Sequence, residues 1–435
     1  MKFNCNPSIK ELACLAYAMS YMMPALSDRV SRLKTLTYAR GGACYVRGMY
    51  VAVESVAELK AHWAARGSLR HVVVKGLDLR GETDFLLAVS AHCAVFLGTR
   101  METEAVDHVI ETGGVVFPRL RELLDLPFEV YRDRLYSLPE LMEGLDVERP
   151  GSLFEDTLDG RVFRWFQSQR QSTGILEALS QRLHDHAIDD AMREFLSAHS
   201  FDVVGIMGGH ALPRAAAVYR DVTRLGRALT RKGWLVATGG GPGAMEAGNL
   251  GAWLAPLDDD ALDRALAILA PSPTFDQDAE RYLELGYRVL EALSLDPRSP
   301  IDGRGGESLA VPTWYYGHEP ANQFATHIAK YFANSVREAG LVTITTRGIV
   351  FAPGSAGTVQ EIFMDANQNY YGTEGVISPM VLLGTTFWRE TLPVDTLLQR
   401  LAAERAMSSL VAAFDDVEAV IAFLEANPAR EYDPP

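Results

Sequence analysis

Val203-Val-Gly-Ile-Met-Gly-Gly-His210 sets an apolar run directly against two glycines, and Trp234-Leu-Val-Ala-Thr-Gly-Gly-Gly-Pro-Gly-Ala-Met-Glu246 repeats the arrangement further along. The interval 214–231 between them reads as a helix. Strand, glycine turn, helix, strand and glycine turn is the doubly wound α/β pattern. A third pass follows at 348–352, an apolar strand running into Pro353-Gly-Ser-Ala-Gly-Thr358 and then a helix beginning near Val359. Ligands on such sheets gather at the carboxyl ends of the strands. The chain from 201 onward is therefore expected to be a Rossmann-like doubly wound parallel sheet with its site at the glycine turns.

Four glycines, Gly239, Gly240, Gly241 and Gly243, occupy five consecutive positions. Glycine admits positive φ and carries no Cβ, so the backbone can come close to a ligand while N–H groups at a helix N-terminus face an anion. One such turn is often no more than a turn. Two in one sheet can converge on a single phosphate-bearing ligand, so the candidate binding set is Gly208, Gly209, His210, Gly239, Gly240, Gly241, Gly243, Met245, Glu246, Gly354, Ser355, Gly357 and Thr358. Glu361 is placed by this reading in the first turn of the second helix. There a carboxylate either serves the helix dipole and a capping box with Thr358, or stands beside a sugar and stabilises positive charge at its anomeric carbon.

At 435 residues the chain exceeds one ordinary domain, and its 48% hydrophobic and 22% charged composition is globular. Runs at 45–53, 71–75, 94–97 and 115–117 predict a second, smaller α/β domain over 1–150. Glycines beside these runs, Gly76, Gly98, Gly113 and Gly114, invite comparison with the C-terminal half, but no motif recurs at a fixed period. Residues 151–200 read as a helical bridge and 201–435 as the nucleotide-binding domain. The acidic stretch 258–293, broken by Pro271 and Pro273, is expected to pack outside the main sheet.

A formal charge of −15 argues against a broad grip on a nucleic acid polymer or an anionic membrane. Cys5, Cys14, Cys44 and Cys93 show neither CxxC spacing nor histidines arranged as metal ligands, which fits a reduced, cytoplasmic setting and no metal site. The apolar stretch 14–23 is too short to span a bilayer and reads as a buried helix or arm.

Pro353-Gly-Ser-Ala-Gly-Thr-Val-Gln-Glu361 resembles the PGGxGTxxE signature of the lonely guy (LOG) family of nucleotide phosphoribohydrolases, and Gly239-Gly-Gly-Pro-Gly-Ala-Met-Glu246 is similar to that family's first glycine motif. Gly208-Gly-His210 adds a likeness to the longer bacterial members that cleave nucleoside 5'-monophosphates. The family carries an arginine on the helix before the strand leading to the signature, and Arg337 stands there, 16 residues before Pro353. The resemblance covers roughly residues 201–371. It implies Arg337 and Glu361 as the catalytic pair, a nucleoside 5'-monophosphate substrate, hydrolysis of its N-glycosidic bond to free base and ribose 5-phosphate without a cofactor, and a homo-oligomer.

Two departures stand out. Ser355 replaces the second glycine of the signature, and Trp314-Tyr-Tyr-Gly-His-Glu-Pro320 with Asn322 has no counterpart in the short members; its rings could stack on a base while His318 or Asn322 read its edge. The alternative function is a noncatalytic protein that binds or senses a nucleotide or a molybdopterin-type cofactor in the same crevice.

Overall fold

The computed structural model describes residues 46–47, 50–146, 149, 151–294, 305–316 and 321–432. The stretch 14–23, three of the four cysteines (Cys5, Cys14 and Cys44), Pro150 and His318 lie outside these. Backbone contacts divide the chain into two compact units, Met1–Val51 and Ala52–Pro435. In the first, Val46 pairs antiparallel with Val51 and Arg47 with Tyr50.

Within the second unit, Val72–Lys75, Val95–Leu97 and Val115–Phe117 run parallel side by side, with helices Thr83–Ala88 and Thr103–Glu111 as the intervening crossovers. Val72, Val74, Phe96, Leu86 and Val109 bury their side chains in one small cluster. Helix Val56–Arg66 opens on an N-cap: Ser55 Oγ accepts from Glu58 N–H at 3.2 Å, and Glu58 Oε2 reaches back to accept from Glu54 N–H at 3.0 Å. The smaller α/β layer is thus built from the apolar runs that predicted it.

The larger sheet has seven strands in the order Val411–Phe414, Met380–Leu383, Gly348–Phe351, Val203–Met207, Leu235–Thr238, Ser308–Ala310 and His327–Ile328. Every neighbouring pair is parallel. The four strands from Gly348–Phe351, Met380–Leu383, Val203–Met207 and Leu235–Thr238 are buried along their whole length, as a sheet covered on both faces requires. Chain order reverses between Val203–Met207 and Gly348–Phe351. This reversal is the topological switch point, and a glycine turn leaves the carboxyl end of each of these two strands.

Helices Ala217–Arg231 and Ala244–Trp253 pack with their backbones almost touching. A Cβ on Gly226 would lie 2.3 Å from the Gly248 carbonyl oxygen, and one on Gly251 2.1 Å from that of Thr223. Elsewhere in a helix alanine is favoured over glycine by up to about 1 kcal/mol, but here the two helices must separate. Gly251→Ala is expected to destabilise the protein by about 1–3 kcal/mol, read as a lower urea midpoint with unchanged slope.

Residues 120–199 share the hydrophobic cluster of the larger sheet. Helices Leu158–Gln169 and Ile175–His199 are tied to it by one buried and one half-buried carboxylate. Asp159 accepts from Trp314 Nε1 at 2.7 Å and from Lys330 Nζ at 2.9 Å, and Asp189 accepts from the Tyr331 hydroxyl at 2.8 Å.

Candidate functional site

A cavity of about 620 Å³ opens at the switch point, within the range of small-molecule sites. Gly208, Gly209 and His210 line it from the first strand's end, Gly239, Pro242 and Met245 from the first glycine turn, and Ser355, Gly357, Thr358 and Glu361 from the second. Gly209 stitches the three segments together: its N–H donates to the Pro353 carbonyl at 3.0 Å and its carbonyl accepts from Ala244 N–H at 3.1 Å. His210 is exposed at the cavity wall and Ser355 is exposed beside it.

The other glycines act one step back. Gly240 and Gly243 adopt φ of +77° and +71°, and a Cβ on Gly243 would strike the Gly209 carbonyl oxygen at 2.4 Å. They shape the turn, and with Gly241 they do not line the cavity. Gly354 also lies outside the lining, its Cα against Thr358, whose Oγ1 would sit 2.1 Å from an added Cβ. The turn is braced from below: Gly240 N–H donates to Thr238 Oγ1 at 3.0 Å, Thr238 donates to Asn249 Oδ1 at 2.6 Å, and Asn322 Nδ2 donates to the same oxygen at 3.0 Å. Asn322 is therefore a buried strut of the first turn instead of a reader of base edges. Trp314 is likewise buried, and of its loop Tyr316 reaches the cavity wall.

Glu246 does not face the cavity. Its carboxylate takes both prongs of the Arg214 guanidinium at 2.8 and 2.9 Å and accepts from the Tyr219 hydroxyl, all in the core. The helix geometry of a turn that points Met245 toward the ligand points its neighbour inward.

Helix Ala356–Tyr371 begins at Ser355 without any side-chain cap, so its first N–H groups and its positive end face the cavity. Glu361 lies in the second turn of this helix, not the first. The capping-box explanation with Thr358 falls away, because Thr358 is itself inside the helix. Glu361 Oε1 stands 3.7 Å from Arg337 Nη1. Arg337, 7% exposed, donates through Nη2 to Asn334 Oδ1 at 2.7 Å and to Glu338 Oε1 at 3.2 Å, and its Nε–H is buried without a partner among the described residues. Gln360 Nε2 holds Glu338 from the other side at 2.8 Å. One guanidinium thus sits between two largely buried carboxylates.

The helix that carries Arg337, Asn334–Ile344, has no side chain of its own to cap it. Asp185, from a distant segment, fixes the two residues that lead into it, accepting from Phe332 N–H at 2.9 Å and Ala333 N–H at 2.8 Å. His184 lies fully buried beside it, Nδ1 at 3.2 Å from Asp185 Oδ1 and Nε2 at 2.9 Å from the Tyr136 hydroxyl. Burial lowers the His184 pKa against the pull of Asp185, which fits a neutral ring donating to Asp185 and accepting from Tyr136.

Glu338 and the stretch Thr274, Phe275 and Asp276 line the cavity without having been singled out from sequence. The stretch 258–293 contributes helices Ala261–Leu269 and Ala279–Leu293 and no strand of the sheet, and the loop between them turns back to the site, held where Arg214 N–H donates to the Pro273 carbonyl at 2.9 Å. The two prolines marked an interruption there, which was the available signal.

Below Glu361, Asp365 is wholly buried with Oδ2 unpartnered, and burial pushes its carboxyl well above the usual range. It therefore holds its proton to higher pH in the fold than in the unfolded chain. Its contribution is present at acid pH, below the ordinary carboxylate pKa of about 4, and is lost as pH rises. Asp365→Asn, which keeps a neutral group of the same shape, is expected to flatten the decline in stability from about pH 4 to neutrality, measured as urea midpoints across that range.

Among the described residues no group of three or more His, Cys, Asp or Glu is placed to hold a metal ion, and no helix is long and apolar enough to cross a membrane. No protein-family model and no curated protein matches the chain. Among solved structures, the chain is similar to the molybdenum cofactor binding protein from the phototrophic bacterium Rippkaea orientalis, at 14% identity and a TM-score of 0.32, over 52% of this chain and 96% of that one. It is similar also to the Moco carrier protein from Chlamydomonas reinhardtii, at 17% identity and a TM-score of 0.32, again over 52% of this chain and 96% of that one.

Proposed function

We propose that the cleft hydrolyses the N-glycosidic bond of a nucleoside 5'-monophosphate. The observation that carries this reading is the Arg337–Glu361 pair, 3.7 Å apart, facing the same cavity as two glycine turns and an uncapped helix N-terminus. The 5'-phosphate is held at that N-terminus and by the backbone of the turns. As the C1'–N bond breaks, its electron pair leaves with the base, which takes up a proton, and the sugar gains oxocarbenium character. Glu361 stabilises that charge. Arg337 orients Glu361, and with Glu338 beside it the cluster of one guanidinium and two carboxylates remains net negative toward the developing cation. Water then adds to C1' and releases a proton, giving ribose 5-phosphate.

The test is base release, resolved by chromatography, from a panel of nucleoside 5'-monophosphates with free nucleosides as controls. Release from monophosphates and not from nucleosides is the expected result. Nucleotide binding with no release from any member of the panel would overturn the enzyme reading and leave a noncatalytic binder of a nucleotide or molybdopterin-type cofactor.

A further inference from the structure

A second cavity, of about 550 Å³, lies on the smaller sheet and takes no part in the reaction proposed above. It sits at the carboxyl ends of the parallel strands: Lys75 and Gly76 close one, Gly98 the next, and Arg119 follows the third. This is where α/β sheets receive ligands, and its volume suits a small molecule.

The lining is charged and unevenly paired. Arg132, 6% exposed, is held by Glu140 through two contacts at 2.7 and 3.0 Å, and Arg119 pairs with Glu122 at 2.7 Å. Among the described residues Lys75 and Arg134 form no ion pair and the Arg119 Nε–H is buried with no acceptor. Two cations and an orphaned guanidinium donor converging on one space call for an acceptor-rich anion. A bare polyanion fits poorly, because Glu54, whose carboxylate makes no hydrogen bond among the described residues, and Asp133 share the wall. Carboxylates accept from hydroxyl groups, so the complement is a molecule with phosphate at one end and hydroxyls at the other.

A nucleobase has no place to stack. Tyr131 is the one aromatic side chain in the lining, and its ring is committed to Gly98, where an added Cβ would come within 2.6 Å of it, with its hydroxyl donating to the Pro118 carbonyl at 2.9 Å. We infer that this cavity is a second ligand site, built for a phosphorylated sugar. The inference stands whether or not the other cleft turns over nucleotides.

Calorimetric titration of the full-length Glu361→Gln chain, in which AMP is held but not turned over to ribose 5-phosphate at an appreciable rate, with ribose 5-phosphate, and with ribose and inorganic phosphate as its parts, tests this in the presence of saturating AMP. Ribose 5-phosphate is expected to bind with AMP present, more tightly than either part. Lys75→Ala, Arg134→Ala and Arg119→Ala are each expected to weaken it about tenfold or more, while AMP affinity stays unchanged. Lys75 and Arg134 are outside the core, so these two variants fold even where Arg119→Ala perturbs the wall. Absence of sugar phosphate binding overturns the inference. So does binding that AMP abolishes, or that all three substitutions leave intact. Failure of base release in the other cleft moves none of these readouts.

Discussion

Glu361→Gln is expected to lower the rate of base release by about 10²- to 10³-fold, the range seen when one group stabilising transition-state charge is removed, with little change in KM. The amide keeps the size of the carboxylate and leaves the helix N-terminus and the glycine turns untouched, so the phosphate is held as before. What disappears is the negative charge opposite the sugar. An interaction made only in the transition state lowers kcat and kcat/KM together. Arg337 would then face one carboxylate, Glu338, at 3.2 Å. A variant that retains the full rate would sink the assignment of Glu361, and one that loses nucleotide binding in proportion would make it a binding residue. Steady-state kinetics on the best monophosphate of the panel decides.

Glu246→Ala is expected to destabilise the fold by about 3–5 kcal/mol, a large part of the ordinary 5–15 kcal/mol. The Arg214 side chain has no exposure, and its guanidinium donates to Glu246 through both prongs. Removing the carboxylate leaves a buried cation uncompensated and strips the Tyr219 hydroxyl of its acceptor. The double variant Arg214→Met/Glu246→Leu removes both charges and is expected to recover much of the loss, because replacing a whole buried pair by apolar groups is far milder than breaking it. Equal destabilisation in single and double variants, by urea denaturation, would show that packing and not charge dominates there.

Of the larger sheet, Ser308–Ala310, His327–Ile328, Met380–Leu383 and Val411–Phe414 were not read, whereas the three central strands were legible because glycine turns and valine-rich runs are local signals, complete within a few residues. The switch point follows from them: the strands before Gly208 and before Pro353 are neighbours, so both turns open on one cavity. What escaped depends on direction or distance. Glu246 sits within the motif, yet the helix turns it into the core, and a motif does not state which way a side chain points. Asn322 looked like a base reader because it follows an aromatic run, whereas its amide is needed by Asn249. Thr274, Phe275 and Asp276 belong to an irregular loop whose route back to the site is set by Arg214 and not by any periodicity. Asp185 as the brace of the segment leading into the Arg337 helix was beyond reach, since its partners are 147 and 148 residues away.

That long reach bears on the order in which the molecule assembles. Residues 203–253 form strands and helices from contacts close in the chain, and such contacts close quickly. The wall that carries Arg337 waits for segments 142 to 171 residues apart to meet, Tyr331 with Asp189 and Lys330 with Asp159 among them. Loop closure over such distances is entropically costly and precedes any gain from the contact. The cleft at the switch point is thus a late product of folding: the first glycine turn can form early, while the second waits for Pro353 to reach Gly209 and the arginine wall for the helices at 158–199 to dock.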